Sequence, residues 1–120
     1  MVCGASKGIG RATAEAFAAA GAQVILCSRD ESELNKLRDS LPGHGHSVVA
    51  LDLEDTQELE NNVAKILADG PVHILVNNSA GPPGGPLLSV EVEDFIAPFK
   101  RHLHAAHTLT KALVPGMVEA

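Results

Sequence analysis

Seven residues near the start, Gly4-Ala5-Ser6-Lys7-Gly8-Ile9-Gly10, constrain this chain more than any other stretch. An apolar stub, Val2-Cys3, precedes them and a helical pattern follows. Glycine has no Cβ to hold a phosphate away and accepts φ > 0, so such a turn can offer backbone N–H groups to an anion. The helix behind it would place its positive end at the same point. The turn has this meaning only inside a strand–turn–helix unit, so the remaining chain must supply a βαβ frame.

It does so by pattern. Ile9, Ala12, Thr13, Ala16, Phe17 and Ala20 recur at helical spacing, with Gly21 as terminator. Residues 23–27 read as a buried strand, and Asp30 as the N-cap of a helix with Leu34, Leu37 and Leu41 on its apolar face. Residues 47–51 are expected as a third strand. A third helix over 56–68 is expected to bury Leu59, Val63, Ile66 and Leu67. Asp69-Gly70-Pro71 breaks it, and 72–76 reads as a fourth strand ending in Asn77-Asn78. The Gly- and Pro-rich segment 79–86 is a loop. A long helix follows with Phe95, Phe99, Leu103, Ala106, Leu113 and Met117 along one side, and Pro98 and Pro115 are expected to kink or split it. That side has a core reading and an interface reading, since one helix can serve both.

A β-α-β-α-β-α-β-α order implies an α/β fold, a doubly wound parallel sheet of strand order 3-2-1-4. At 120 residues this is one domain, and with aromatic residues at 2% and neither Trp nor Tyr its core must be aliphatic. The net charge of −6 argues against a nucleic-acid or anionic-membrane surface. No apolar run reaches transmembrane length, no signal peptide is expected, and two cysteines make no disulfide framework, which together suggest a reducing, cytoplasmic setting.

In such a sheet the ligand crevice lies at the carboxyl ends of strands 1 and 4, where the Gly4–Gly10 loop and Asn77-Asn78 both fall. Ser28-Arg29 ends the second strand, where dinucleotide folds meet the adenosine ribose. A hydroxyl with two cations, Arg29 and Lys7, favours a 2′-phosphate and hence NADP(H) over NAD(H), against the plainer reading of two solvated surface residues. Asp30 could pair with Arg29 and weaken it. Asp52 could accept from an adenine amino group while Leu53 covers the ring, or could simply open the next helix. The histidines of His44-Gly45-His46 and the pair His104/His107 find no completing carboxylate or cysteine, so no metal site is expected.

Taken together, these residues resemble the short-chain dehydrogenases/reductases. Cys3-Gly4-Ala5-Ser6-Lys7-Gly8-Ile9-Gly10 is similar to that family's Thr-Gly-x-x-x-Gly-x-Gly motif, with Cys3 in place of threonine. Asp52-Leu53 matches its adenine-contacting pair. Asn77-Asn78-Ser79-Ala80-Gly81 resembles its Asn-Asn-Ala-Gly motif, either with one residue more or with Ser79-Ala80 in place of Ala-Gly. The nearest group is the 3-oxoacyl-[acyl-carrier-protein] reductases.

The resemblance implies a Rossmann-type sheet, here truncated, and an oxidoreductase that transfers hydride from NADPH to a ketone, with a 3-oxoacyl thioester as a candidate. It implies cofactor contacts from Gly4, Ser6, Lys7, Gly8, Ile9, Gly10, Ser28, Arg29, Asp52, Leu53, Asn78, Ala80 and Gly81, with Asn77 mainly bracing the central strands. It also implies a homo-oligomer paired through the helix of residues 95–117. The family's catalytic Ser and Tyr-x-x-x-Lys lie beyond the fourth helix, and these residues contain no Tyr. The chain is therefore expected to be the cofactor-binding half of a domain, incomplete at both ends, and to bind cofactor without turnover. The alternative is a noncatalytic NADP(H)-binding module. His102 stands at the position of a helix Asn in the family's proton relay and is expected to be a tolerated replacement. Strand 4 would be an uncovered edge, so the isolated chain is expected to fold weakly or to associate.

Overall fold

Successive side chains on a strand point to opposite faces, and two short strands use this to divide the core. Val2 and Leu26 are register partners in β1 and β2, as are Cys3 and Cys27. Val2 and Leu26 pack with Ala5, Ala14, Ala18, Val24, Leu34, Leu37 and Leu41 on one side. Cys3 and Cys27 pack with Leu51, Leu59, Val63, Ile66, Leu109 and Leu113 on the other.

The computed structural model describes residues 1–81 and 84–120; Pro82 and Pro83, inside the loop expected over 79–86, lie outside the described residues. The elements are β1 (Val2–Cys3), α1 (Gly8–Ala19), β2 (Ile25–Ser28), α2 (Glu31–Ser40), β3 (Ser47–Ala50) and α3 (Thr56–Ala68). Two 3₁₀ turns follow at Leu87–Ser89 and Val92–Phe95, and then α4 (Ile96–Phe99), a π-helical segment (Lys100–His104) and α5 (Ala105–Glu119). Helices α1 and α2 cover one face of the sheet, and α3 and α5 the other.

The strands pair in parallel in the order β1-β2-β3, so the 3-2-1 part of the expected order is present. On the free side of β1, Val76 forms a parallel bridge to Val2, the place expected for strand 4. The expected strand over 72–76 does not form beyond that bridge. β1 offers only two strand residues to pair with, Pro71 has no N–H to give, and Ile74 is 52% exposed.

The helix faces depart from expectation in two places. In α1 the buried residues are Gly10, Ala14 and Ala18, whereas Ile9 is 80% exposed. The helix lies on its smallest side chains, which lets its backbone approach the sheet closely. In the last helical rod, Ala105, Leu109 and Leu113 are buried, while Phe95, Phe99 and Leu103 are exposed. The expected single stripe from Phe95 to Met117 is therefore two faces, because the wider π turn between them advances the register. Leu67, expected on the buried face of α3, is exposed as well. Pro98 sits in the first turn of α4, where a missing N–H costs nothing, and α5 runs on through Pro115.

Candidate functional site

Three helices begin at the carboxyl edge of the sheet, and one of them is prepared differently. Asp30 caps α2 by accepting from Glu33 N (3.0 Å), and Asp55 caps α3 by accepting from Glu58 N (2.9 Å). At the start of α1, Lys7 makes no side-chain cap and the first turn carries no acid. Its leading amides are left facing the crevice with the positive end of the helix behind them.

Backbone conformation shapes the approach. Gly4 and Gly8 have φ of +60° and +58°, a region that L side chains rarely adopt. A Cβ on Gly10 would lie 2.1 Å from the Gly4 carbonyl oxygen, so the loop closes on itself only with glycine there. Asn78 Nδ2 donates to Cys3 O (3.2 Å), and Ala5 N donates to Cys27 O (3.1 Å), which ties the loop to both neighbouring strand ends. The bracing expected of Asn77 thus falls to Asn78. Asn77 is exposed and reaches Thr110 Oγ1 at 3.4 Å.

The structure brings Gly4, Ser6, Lys7, Gly8, Ile9, Ser28, Arg29, Asp52, Leu53, Asn78 and Ala80 onto the walls of one open crevice of about 640 Å³. Gly10 lies buried beneath the loop, Gly81 is exposed, and neither Gly81 nor Asn77 is on those walls. Ser28 Oγ is buried with no hydrogen-bond partner among the described residues. Buried hydroxyls are almost always satisfied, so an orphan on a cleft wall marks a place for a ligand atom. Lys7 and Arg29 are exposed and make no ion pair among the described residues. Asp30 does not neutralise Arg29; one of its oxygens is used by the α2 cap.

Asp52 Oδ1 accepts from Glu54 N at 3.0 Å, and Oδ2 makes no hydrogen bond among the described residues. The helix-opening role weighed for Asp52 belongs to Asp55. His102 approaches Ser79, Nδ1 to Oγ 3.0 Å, beside a small hollow of about 40 Å³ lined also by Cys3 and Asn77. His46 is a brace: its Nδ1 accepts from Val24 N (3.1 Å), which leaves Nε2–H to donate to Pro42 O (2.9 Å). Arg101 also reaches the crevice wall, and no motif pointed to it.

Beneath the loop, Cys3 and Cys27 are both buried. The hydrogen bond to Cys3, together with burial, pushes the Cys27 thiol well above the ordinary thiol range. It stays neutral at pH 7 and is a poor nucleophile. Both thiols are expected to resist a disulfide reagent such as DTNB in the native protein. Both should react fully within minutes in about 6 M guanidinium, a concentration that unfolds most small domains. Rapid labelling of the native protein would contradict a packed pair.

A glycine-lined helix N-terminus, with a hydroxyl and two cations that find no partner among the described residues, at the switch point of a doubly wound sheet, defines a nucleotide-binding α/β domain. The chain belongs to the short chain dehydrogenase family, whose model matches residues 1–120. L-xylulose reductase of Mesocricetus auratus is 37% identical over 118 residues, covering 98% of this chain and 46% of the reductase. L-sorbose reductase of Gluconobacter frateurii, solved with NADPH and L-sorbose, superposes with a TM-score of 0.88 at 31% identity, over 97% of this chain and 46% of that one. A metagenomic short-chain oxidoreductase solved with NADP gives 0.84 at 30% identity, over 98% and 55%. The chain therefore spans about half the length of the curated relatives it matches. No helix among the described residues is long and apolar enough to cross a membrane.

Proposed function

We propose that these residues are the NADP(H)-binding half of an oxidoreductase domain that transfers hydride between the nicotinamide and a carbonyl compound. The observation that carries this reading is the pairing of the uncapped α1 N-terminus with Ser28 and Arg29 on one crevice. In this reading the Gly4–Gly10 loop holds the pyrophosphate, and Ser28, Arg29 and Lys7 take the 2′-phosphate. Asp52 and Leu53 meet the adenine, while Asn78, Ala80 and Gly81 border the path toward the nicotinamide. The bound cofactor supplies the hydride; the chain's own residues bind and orient it. A structure holding NADPH and one holding NADP among the relatives support the phosphorylated cofactor. Reductases of L-xylulose and L-sorbose support a carbonyl substrate, with a 3-oxoacyl thioester as one candidate. The exposed row Phe95, Ile96, Phe99 and Leu103 supports self-association through that face.

The test is a titration with NADPH and NADH. NADPH is expected to bind about 10- to 100-fold more tightly, the worth of one or two charge-assisted hydrogen bonds. Arg29→Ala should remove most of that preference while leaving NADH affinity nearly unchanged. Tighter NADH binding by the unaltered chain would refute the 2′-phosphate assignment.

A further inference from the structure

The crevice has a wall that the cofactor contacts above leave unused. It comes from the π-helical segment, whose widened turn carries Arg101 to the carboxyl edge of the sheet. Arg101 lines the crevice together with Asp52, Leu53, Ser79 and Ala80. Its Nη1 lies 3.1 Å from Glu54 Oε1, and the arginine side chain is only 15% exposed. Its Nε is buried and has no hydrogen-bond partner among the described residues.

A purely structural role explains this poorly. Burying an ion pair costs desolvation that Coulomb attraction only partly returns, and an unsatisfied N–H adds to the loss. An apolar side chain of similar volume would hold the segment at least as well. A phosphate-binding role is also poorly served, because Glu54 already neutralises the guanidinium. What the clamped group does offer is a rigid, planar face. Among the described residues, those lining the crevice include no aromatic ring, so a heterocyclic base entering it would meet no aromatic stacking partner there. Arginine is the non-aromatic side chain that stacks on such rings, by cation–π and face-to-face contact.

We propose that Arg101, fixed by Glu54, is a wall of the base subsite and stacks on the purine of the bound dinucleotide. This rests on the dinucleotide reading of the crevice. It predicts a contact that ignores the 2′-phosphate and needs the guanidinium plane, which charge alone does not replace.

Binding of NADPH and NADH to the unaltered protein, to Arg101→Lys, to Arg101→Ala and to Glu54→Gln tests it, with thermal melting to confirm that each variant is folded. Arg101→Lys keeps the charge and loses the plane; it should weaken both dinucleotides equally, about tenfold. Glu54→Gln loosens the clamp and should weaken both by a smaller, again equal, factor. Unchanged affinity in all three folded variants overturns the proposal while leaving the cofactor reading intact. A loss confined to NADPH, or full affinity in Arg101→Lys with loss in Arg101→Ala, makes Arg101 a simple cation and overturns stacking. Failure of the unaltered protein to bind either dinucleotide overturns both readings.

Discussion

Gly10→Ala is expected to abolish binding at the crevice and to destabilise the chain by about 3 kcal/mol or more, the scale of forced overpacking against rigid atoms. The new methyl carbon would stand 2.1 Å from the Gly4 carbonyl oxygen and 2.7 Å from its carbon, both backbone atoms. Neither can rotate aside, so the loop must open and leave its ties to Asn78 and Cys27. Gly8→Ala is the informative companion. Gly8 has φ +58°, and a Cβ there would meet no atom within 4 Å. The cost is therefore backbone strain alone, about 1–2 kcal/mol. That variant should fold, yet present a methyl group on the crevice wall and bind NADPH much more weakly. Urea unfolding and NADPH titration on the two variants separate the effects. Native stability and affinity in Gly10→Ala would disprove the closed loop.

Leu109→Ala, on the last helical rod, should destabilise the chain by about 2–5 kcal/mol. Leu109 is 1% exposed and belongs to the layer that holds Cys3, Cys27, Leu59 and Val63. It also lines the hollow beneath Asn77 and Asn78, so the vacated volume lies next to the loop's anchor. Leu103→Ala, earlier on the same rod, removes a side chain that is 59% exposed. It should change stability by no more than about 0.5 kcal/mol. A regular α-helix from Phe95 to Met117 would carry Leu103 and Leu109 on one buried stripe and make the two losses comparable. Denaturation midpoints of the two variants therefore test the π-helical segment directly.

What the sequence made legible follows the strength of local signals. α3 spans Thr56–Ala68 as expected, because Asp55 caps it and Leu59, Val63 and Ile66 are large enough to mark a face. Asp30 likewise announces α2. The buried face of α1 is hidden because its small residues form more than one stripe; only tertiary contact shows that Gly10, Ala14 and Ala18 are buried and Ile9 is not. The π-helical turn has no composition signal of its own, so the shift from Phe99 and Leu103 outside to Leu109 and Leu113 inside does not show in the spacing. The crevice residues on strand ends were legible through topology, since a doubly wound sheet brings them to one edge. Arg101 was not, because it depends on that same turn and on an ion pair to the distant Glu54.

The floor of the crevice is joined from the two ends of a long stretch of chain. Met1 and Cys3 exchange backbone hydrogen bonds with Val76, and Asn78 reaches back across 75 positions to Cys3. No short contiguous piece of the chain contains the site, and it is complete only when Val76 and Asn78 have closed onto β1. A ligand gripping both Gly4–Gly10 and the Asn78 side thus recognises the finished fold and no partly formed one. By mass action it would then act as a fastener, adding about 2.7 kcal/mol at a free concentration about one hundred times its Kd. Amide exchange at Cys3, Ala5 and Val76 should slow together when that ligand is present, which makes occupancy measurable as protection of the whole sheet.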